Sequence, residues 1–374
     1  MSLATPIQGM KTTSIHPLHE QLGAKLIDFG GWHMPVQYGP ILDEVNCVRT
    51  KAGLFDLGHM GRVHVRGKDA LAFVDKIATN YCAKIPLGSI RYSLFCREDG
   101  NPIDDVLLYR EADSVYIVVN ASNTEADLAW MREHAKGFDV VIDDQTDATA
   151  MIAIQGQTSR DILQRAVTGF DLAKLGYYKF DFATVCGLER TRVSRTGYTG
   201  ELGYELYLPS AEGPRVWRAL SELGAGEGLR PIGLGARDIL RLEAGMPLYG
   251  HEIDAEHNPI EAGLNFGVSF APEKQHTIGR AALERVAKNP RRKLVGLTTP
   301  GPRVPRQGTE VFRGATAVGQ VCSGAPSPTL STNIASAYVS LDAAGAGTEL
   351  ELDFRGKRQA CRVQELPFFS RTRK

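Results

Sequence analysis

The sequence predicts an α+β protein that ends in a small all-β unit, and three observations carry that prediction. Residues 61–147 alternate short strand-like and helix-like runs, the pattern of a compact α+β unit. Residues 148–285 repeat the alternation on a longer scale, with apolar strands set between amphipathic helices. Residues 293–374 change character and become short strand-like runs punctuated by Pro, Gly and Ser, the spacing of a small barrel or sandwich.

Taken in order, Leu22–Phe29 reads as a short strand that ends in the Gly30-Gly31 turn beside Trp32. Ile41–Lys51 reads as a helix with Ile41, Val45 and Val48 on one face, and Arg62–Arg66 as a strand. Gly67–Ile77 has helical spacing, and Arg91–Cys96, Ile103–Tyr109 and Val115–Val119 read as strands. Asn123 is placed to cap a helix that runs to about His134. Beyond it come a strand over Ala148–Gln155, a helix over Ser159–Ala166, a Gly-rich hairpin, and a helix around Pro214–Leu223. A further helix starts near Gly233, and Val286–Arg292 reads as the linker to six short strands, from Lys293–Thr298 to Gln359–Glu365.

Composition narrows the function classes. Lys+Arg and Asp+Glu balance at 43 each, so no global field draws the chain to nucleic acid or an anionic membrane. The six cysteines are scattered without a C-x-x-C pair, which indicates neither a zinc site nor a disulfide framework. No apolar run approaches the roughly 20 residues of a membrane helix, and Met1–Lys11 has no signal-peptide core. The expectation is a reduced, cytoplasmic setting, or a mitochondrial matrix for a mature eukaryotic form.

Three local patterns point to chemistry. In Arg195–Leu208, Gly197, Gly200 and Gly203 separate two apolar runs, so a tight turn presents Tyr198, Glu201 and Glu205 around one opening. Alternation puts Glu205 on the face of Tyr207, where a carboxylate needs donors. One reading is a pocket for a flat ligand with paired N–H groups, such as a pterin or guanine; the other is a solvated hairpin. In Ile103–Tyr109, Asp104 faces with Val106 and Leu108 and Asp105 with Ile103, Leu107 and Tyr109, so one carboxylate is forced onto a mainly apolar face as a proton-handling acid, or else both are solvated at the mouth of a turn. Arg237 opens a helix after Gly233-Leu-Gly-Ala and offers a planar fork for a carboxylate or carbonyl, or else a helix salt bridge to Asp238 or Glu243. His251–His257 lacks metalloprotease spacing, His59 reads as structural, and no Walker lysine or G-x-S-x-G serine is present. Arg371-Thr-Arg-Lys374 is a basic tail, solvated or set against an anionic ligand tail.

Together these segments resemble the aminomethyltransferase (T-protein) family of the glycine cleavage system, from about His16 to the C-terminus. The resemblance rests on Phe29-Gly-Gly-Trp-His-Met-Pro, Phe55-Asp-Leu-Gly-His-Met-Gly61, Ile103-Asp-Asp-Val, Gln155-Gly, Ser194–Glu201, Gly233–Gly245 with Leu248-Tyr-Gly250, and Ser323–Leu330. It implies a three-domain cloverleaf of mainly antiparallel sheets with helices, closed by a C-terminal β-barrel. The first domain would be discontinuous, residues 1–60 plus 148–285, with a ferredoxin-like insertion at 61–147 and the barrel at 286–374. The implied reaction moves an aminomethyl group from the lipoyl arm of the H-protein to tetrahydrofolate and releases ammonia, with tetrahydrofolate as acceptor substrate and no metal. Other glycine cleavage components would be met transiently, and neither nucleic acid nor membrane is implied. By position, Asp105 matches the family's catalytic acid, Glu205 the acid that holds the pterin, and Arg237 its ligand-binding arginine. Tyr92, Tyr198 and Asn120 fall where the family lines its folate channel, and Arg373 lies in the basic tail that contributes nearby. Asn101-Pro102 departs from the more flexible turn common in relatives.

The same resemblance leaves room for a tetrahydrofolate-dependent demethylase of a small methylated compound. It also extends to a non-catalytic folate-binding iron–sulfur assembly protein, although the K-G-C-Y-x-G-Q-E stretch of that class is absent: Arg195–Glu201 carries no cysteine.

Overall fold

The computed structural model describes residues 9–371. Its centre is a seven-stranded sheet ordered Val167–Thr168, Phe180–Val185, Leu188–Ser194, Gly203–Pro209, Thr149–Gly156, Ala52–Asp56 and Arg230–Pro231. Ala52–Asp56 and Thr149–Gly156 lie far apart in sequence, yet pair antiparallel in register from Ala52↔Gly156 to Asp56↔Ile152. Between them the chain builds a second, five-stranded sheet ordered Ile90–Cys96, Pro102–Arg110, Val115–Val119, Gly61–Arg66 and Val141–Asp144. Six further strands, from Arg292–Thr299 to Arg358–Gln364, close into a barrel, which resolves the choice between barrel and sandwich.

Side-chain alternation decides what each face of the central sheet does. Along Gly203–Pro209, Tyr204, Leu206 and Leu208 enter one core with Ile162, Leu163, Val216, Trp217 and Leu220 of the helices Ser159–Ala166 and Gly213–Gly224. That helix face is apolar at helical spacing; Trp217 is 2% exposed and Leu220 0%. Truncating Trp217 to Ala would cost about 3–5 kcal/mol. Tyr207, from the opposite face, joins a core shared by all three units. It includes Tyr109 and Tyr116 of the five-stranded sheet, Leu240 of the helix Leu234–Glu243, and Ala325 and Ile334 of the barrel. The cavity described below opens beside this core, between the two sheets, with its lining drawn from residues 29–266 and not from the barrel.

Two readings of the sequence need correction. The segment Val286–Arg292 is not a free linker: the helix Arg280–Lys288 runs through its first half, and only residues 289–291 connect to the barrel. Leu283 of that helix is buried against Leu94 and Leu294, which extends the helix past the predicted break. Asn123 does occupy the cap position of Thr124–His134, but its side chain makes no cap bond. Its amide donates instead to Asp104 Oδ1 at 2.7 Å.

Candidate active site

A cavity of about 730 Å³ opens where the two sheets and the loop after Glu243 meet. Its walls bring together Asp105, Glu205, Arg237, Tyr92, Tyr198 and Asn120, which the sequence scatters over 146 positions from 92 to 237. Arg373 lies outside the described residues. His59, read from the sequence as structural, also lines this space, as do Tyr178 and Phe266, which the sequence reading passed over.

The Gly-rich hairpin positions Glu205. Strands Leu188–Ser194 and Gly203–Pro209 pair with Ser194 opposite Glu205. The glycines serve different ends. Gly200 adopts φ +75°, whereas a Cβ on Gly197 or Gly203 would come within 1.9 Å or 2.2 Å of the Gln155 side chain. Gln155 fills that space and donates to the Thr196 carbonyl at 3.1 Å, which holds the turn against the sheet. Glu205 is 5% exposed. Its Oε2 accepts from Thr196 Oγ1, and from the Tyr207 hydroxyl at 3.4 Å. Tyr207 is in turn 2.7 Å from the Tyr109 hydroxyl of the five-stranded sheet. Oε1 has no partner among the described residues, so an acceptor remains for a ligand's N–H. Burial raises the Glu205 pKa, against the opposing effects of Thr196 and Arg237.

Arg237 sits in the first turn of Leu234–Glu243. The sharp entry to this helix requires Gly233, because a Cβ there would lie 2.3 Å from the Val36 carbonyl. Asp238 pairs with Arg241, and Glu243 with Arg49, so neither forms the predicted salt bridge with Arg237. Arg237 lies over the Tyr198 ring at 4.6 Å and has no ion pair among the described residues. Burial lowers its pKa. Tyr198 itself donates to the Pro247 carbonyl. Glu201, expected at the same opening, turns away to Arg49 at 3.3 Å and Arg371 at 3.5 Å.

Asp105 projects from Pro102–Arg110 into the cavity. Asn120 Nδ2 donates to its Oδ1 at 2.7 Å and to Asp104 Oδ1 at 2.8 Å. Burial, then the charge of Asp104, push the Asp105 pKa up to about 7, against the pull of Tyr92 and Asn120. The Tyr92 hydroxyl is near Asp105 but poorly aligned with it, and is left buried without a well-formed hydrogen bond. Asn120 thus lines the cavity while its amide is committed to the carboxylates. His59 is 1% exposed, and burial together with Arg237 lowers its pKa to about 3, so it is a neutral wall. Among the described residues no group of three His, Cys, Asp or Glu side chains is placed to hold a metal, and no helix is long and apolar enough to cross a membrane.

A large cavity lined by the buried Glu205, the half-buried Asp105, two arginines (Arg91 and Arg237) and several tyrosines combines apolar walls with a few convergent polar groups, as a small-molecule site does. The class becomes specific on comparison with known proteins. Residues 15–272 match the GCVT N-terminal domain family, and residues 292–370 the glycine cleavage T-protein C-terminal barrel domain. The chain is 44% identical over 368 residues to an aminomethyltransferase of Symbiobacterium thermophilum, covering 97% of this chain and 98% of the relative. It is 46% identical over 365 residues to an aminomethyltransferase of Streptomyces avermitilis, covering 96% and 97%. The crystal structure of glycine cleavage system aminomethyltransferase T from Bartonella henselae superposes with a TM-score of 0.89 at 33% identity, covering 96% of this chain and 98% of that one. The chain therefore belongs to the glycine cleavage T-protein family, the aminomethyltransferases.

Proposed function

We infer that the 730 Å³ cavity is where this aminomethyltransferase holds tetrahydrofolate while the H-protein's lipoyl arm delivers the aminomethyl group. The observation that supports this most is the pair Asp105 and Glu205: a half-buried and a buried carboxylate lining one cavity, neither in an ion pair among the described residues. The free Oε1 of Glu205 takes an N–H of the pterin, and Tyr198 and Arg237 form the adjoining wall. Asp105 meets the reactive amines. As ammonia leaves the aminomethyl carbon, the carrier sulfur stabilises a thionium-like centre; the ionised Asp105 orients and polarises the folate amine that attacks it. The carbon–sulfur bond then breaks to leave an iminium on that folate nitrogen, and the second folate amine closes on it to give methylenetetrahydrofolate. Of the two protons the folate amines release, the carrier thiolate takes one, leaving as dihydrolipoyl H-protein, and ammonia takes the other. The protein would work this way in a bacterial cytoplasm, with no metal in the step.

The test is ammonia release from aminomethyl-loaded H-protein with and without tetrahydrofolate. Fast, folate-dependent release with methylenetetrahydrofolate as product is the expected result. Tight folate binding without turnover of this donor would redirect the search to a methyl donor. Absence of folate binding would overturn the assignment of the cavity.

A further inference from the structure

Behind the cavity wall lie two more acids that the reaction as described does not use. Asp104 is 0% exposed. It accepts from the Asn120 backbone N–H at 2.8 Å, from Asn120 Nδ2 at 2.8 Å and from Asn123 Nδ2 at 2.7 Å. Asp127, in the helix Thr124–His134, is also 0% exposed; both acids gather on Asn123, whose amide donates to Asp104 and whose carbonyl accepts the Asp127 N–H, and the two carboxyls are close enough to shift each other's titration. Neither Asp127 oxygen receives an N–H or O–H from any other described residue. Two buried carboxyls so close cannot both ionise and must hold a proton between them. The donors decide where it resides. Burial raises the pKa of both acids, but on Asp104 the three N–H groups of Asn120 and Asn123 oppose it and on Asp127 nothing does, so Asp127 is the acid that keeps the proton and Asp104 the carboxylate that accepts.

We propose that Asp104 and Asp127 are a positioning pair for Asp105: the proton on Asp127 fixes one negative charge on Asp104, and that charge, tied to Asp105 through the shared Asn120 amide, sets when Asp105 ionises. The surroundings of Asp105 agree with this. The phenols of Tyr92, Tyr178 and Tyr198 face it from the other walls, all with pKa values raised by burial. Arg237 and Glu205 line the same space, and Tyr249, with Arg97 and Asp254 beyond it, borders the pair from the outer side. Of the charges acting on Asp105, that of Asp104 is the largest. The pair also explains why Asn123 is spent on Asp104 rather than on its helix cap. The inference rests on Asp105 being the group that meets the folate amine, so its test needs a readout of its own.

Single-turnover formation of methylenetetrahydrofolate should rise with pH through about 7 in the unmodified protein. Asp104→Asn removes the neighbouring charge and should move that limb about one pH unit or more to lower pH. Asp127→Asn keeps a donor for Asp104 and changes no charge, so its limb should stay in place. Equal limbs in the unmodified protein and Asp104→Asn would overturn the proposal, as would a limb in Asp127→Asn that moves as far as that of Asp104→Asn. Infrared spectra supply the second readout. A carboxylic-acid C=O band that persists above neutral pH in the unmodified protein, and is lost in Asp127→Asn, is expected; its absence from the unmodified protein would also overturn the proposal. That band needs neither folate nor turnover. If Asp105→Asn were fully active while the band behaved as expected, the catalytic reading would fall and the proton assignment would stand.

Discussion

Two sets of buried acids in this molecule are treated in opposite ways. Where the barrel meets the central sheet, each acid has an arginine. Arg49 donates to Glu243 through Nε at 3.0 Å and Nη2 at 2.7 Å, while Ser327 and Thr329 donate to the same carboxylate. Arg241 donates to Glu252 at 2.7 Å, alongside the Leu248 N–H and Ser336. Burial alone would raise the Glu252 pKa, but Arg241 and the hydroxyls of Ser336 and Ser323 overcome it and hold it low. Asp105 and Glu205 in the cavity, and Asp127 behind its wall, have no such cation, and all three are shifted up. The interface pairs its charges, which ties the barrel to the central sheet. The acids in and behind the cavity are left without a paired cation, the arrangement in which shifted carboxyls collect at functional sites.

The contrast breaks if removing an acid costs the same on both sides. Glu243→Ala should be the most damaging, because it removes the two closest carboxylate bonds of the buried Arg49, leaving it only the 3.3 Å pair with Glu201, and strands Ser327 and Thr329, at about 3–5 kcal/mol of unfolding free energy in denaturant titration. Asp105→Asn should leave stability at neutral pH undiminished and lower turnover about 10²–10³-fold with folate affinity retained, measured as methylenetetrahydrofolate formation. Unchanged turnover with normal folate binding would end its catalytic role. Glu205→Gln keeps the shape and loses the charged acceptor; folate affinity by calorimetry should weaken by about 1.5–3 kcal/mol.

The smallest effect sharpens the comparison through pH. Asp127 titrates at about 10 when folded, against 3.8 as its ordinary value. Its folded pKa is raised, so the native state holds a proton that the unfolded chain releases. The associated stability is present below about pH 4 and is lost progressively as pH rises toward 10. Asp127→Asn removes that dependence and should stabilise the protein at pH 8, with no gain at pH 4. Thermal unfolding at the two pH values checks it; a loss of stability at pH 8 would mean that the acid is ionised and paired. Glu252→Gln should show the reverse trend, since its lowered pKa contributes stability above its ordinary value that is lost on acidification.

Much of this was legible before folding. Local periodicity placed the helix Ile41–Thr50 and matched the bounds of Ser159–Ala166, and β-alternation put Glu205 beside Tyr207. The doublet Asp104-Asp105 on an apolar strand marked a buried acid for the same reason, since a strand in a core has no solvated face for both carboxylates, and the T-protein resemblance singled out Asp105. The motifs from Phe29 to Leu330, read in order, pointed to the T-protein family and its terminal barrel.

Partnership was not legible. Nothing near Glu201 announces Arg49, 152 positions away, and nothing near Arg237 says that Asp238 and Glu243 will be taken by other arginines. Nor does Asp127, on a helix, signal that it will meet Asp104 from a strand. The sequence by itself determined which segments become strands and helices and which face of each is apolar, because those follow from backbone periodicity within a few residues. Only the tertiary structure decided which buried acid received an arginine and which did not, because that depends on groups brought together across the chain, whose desolvation and pairing have no local signature.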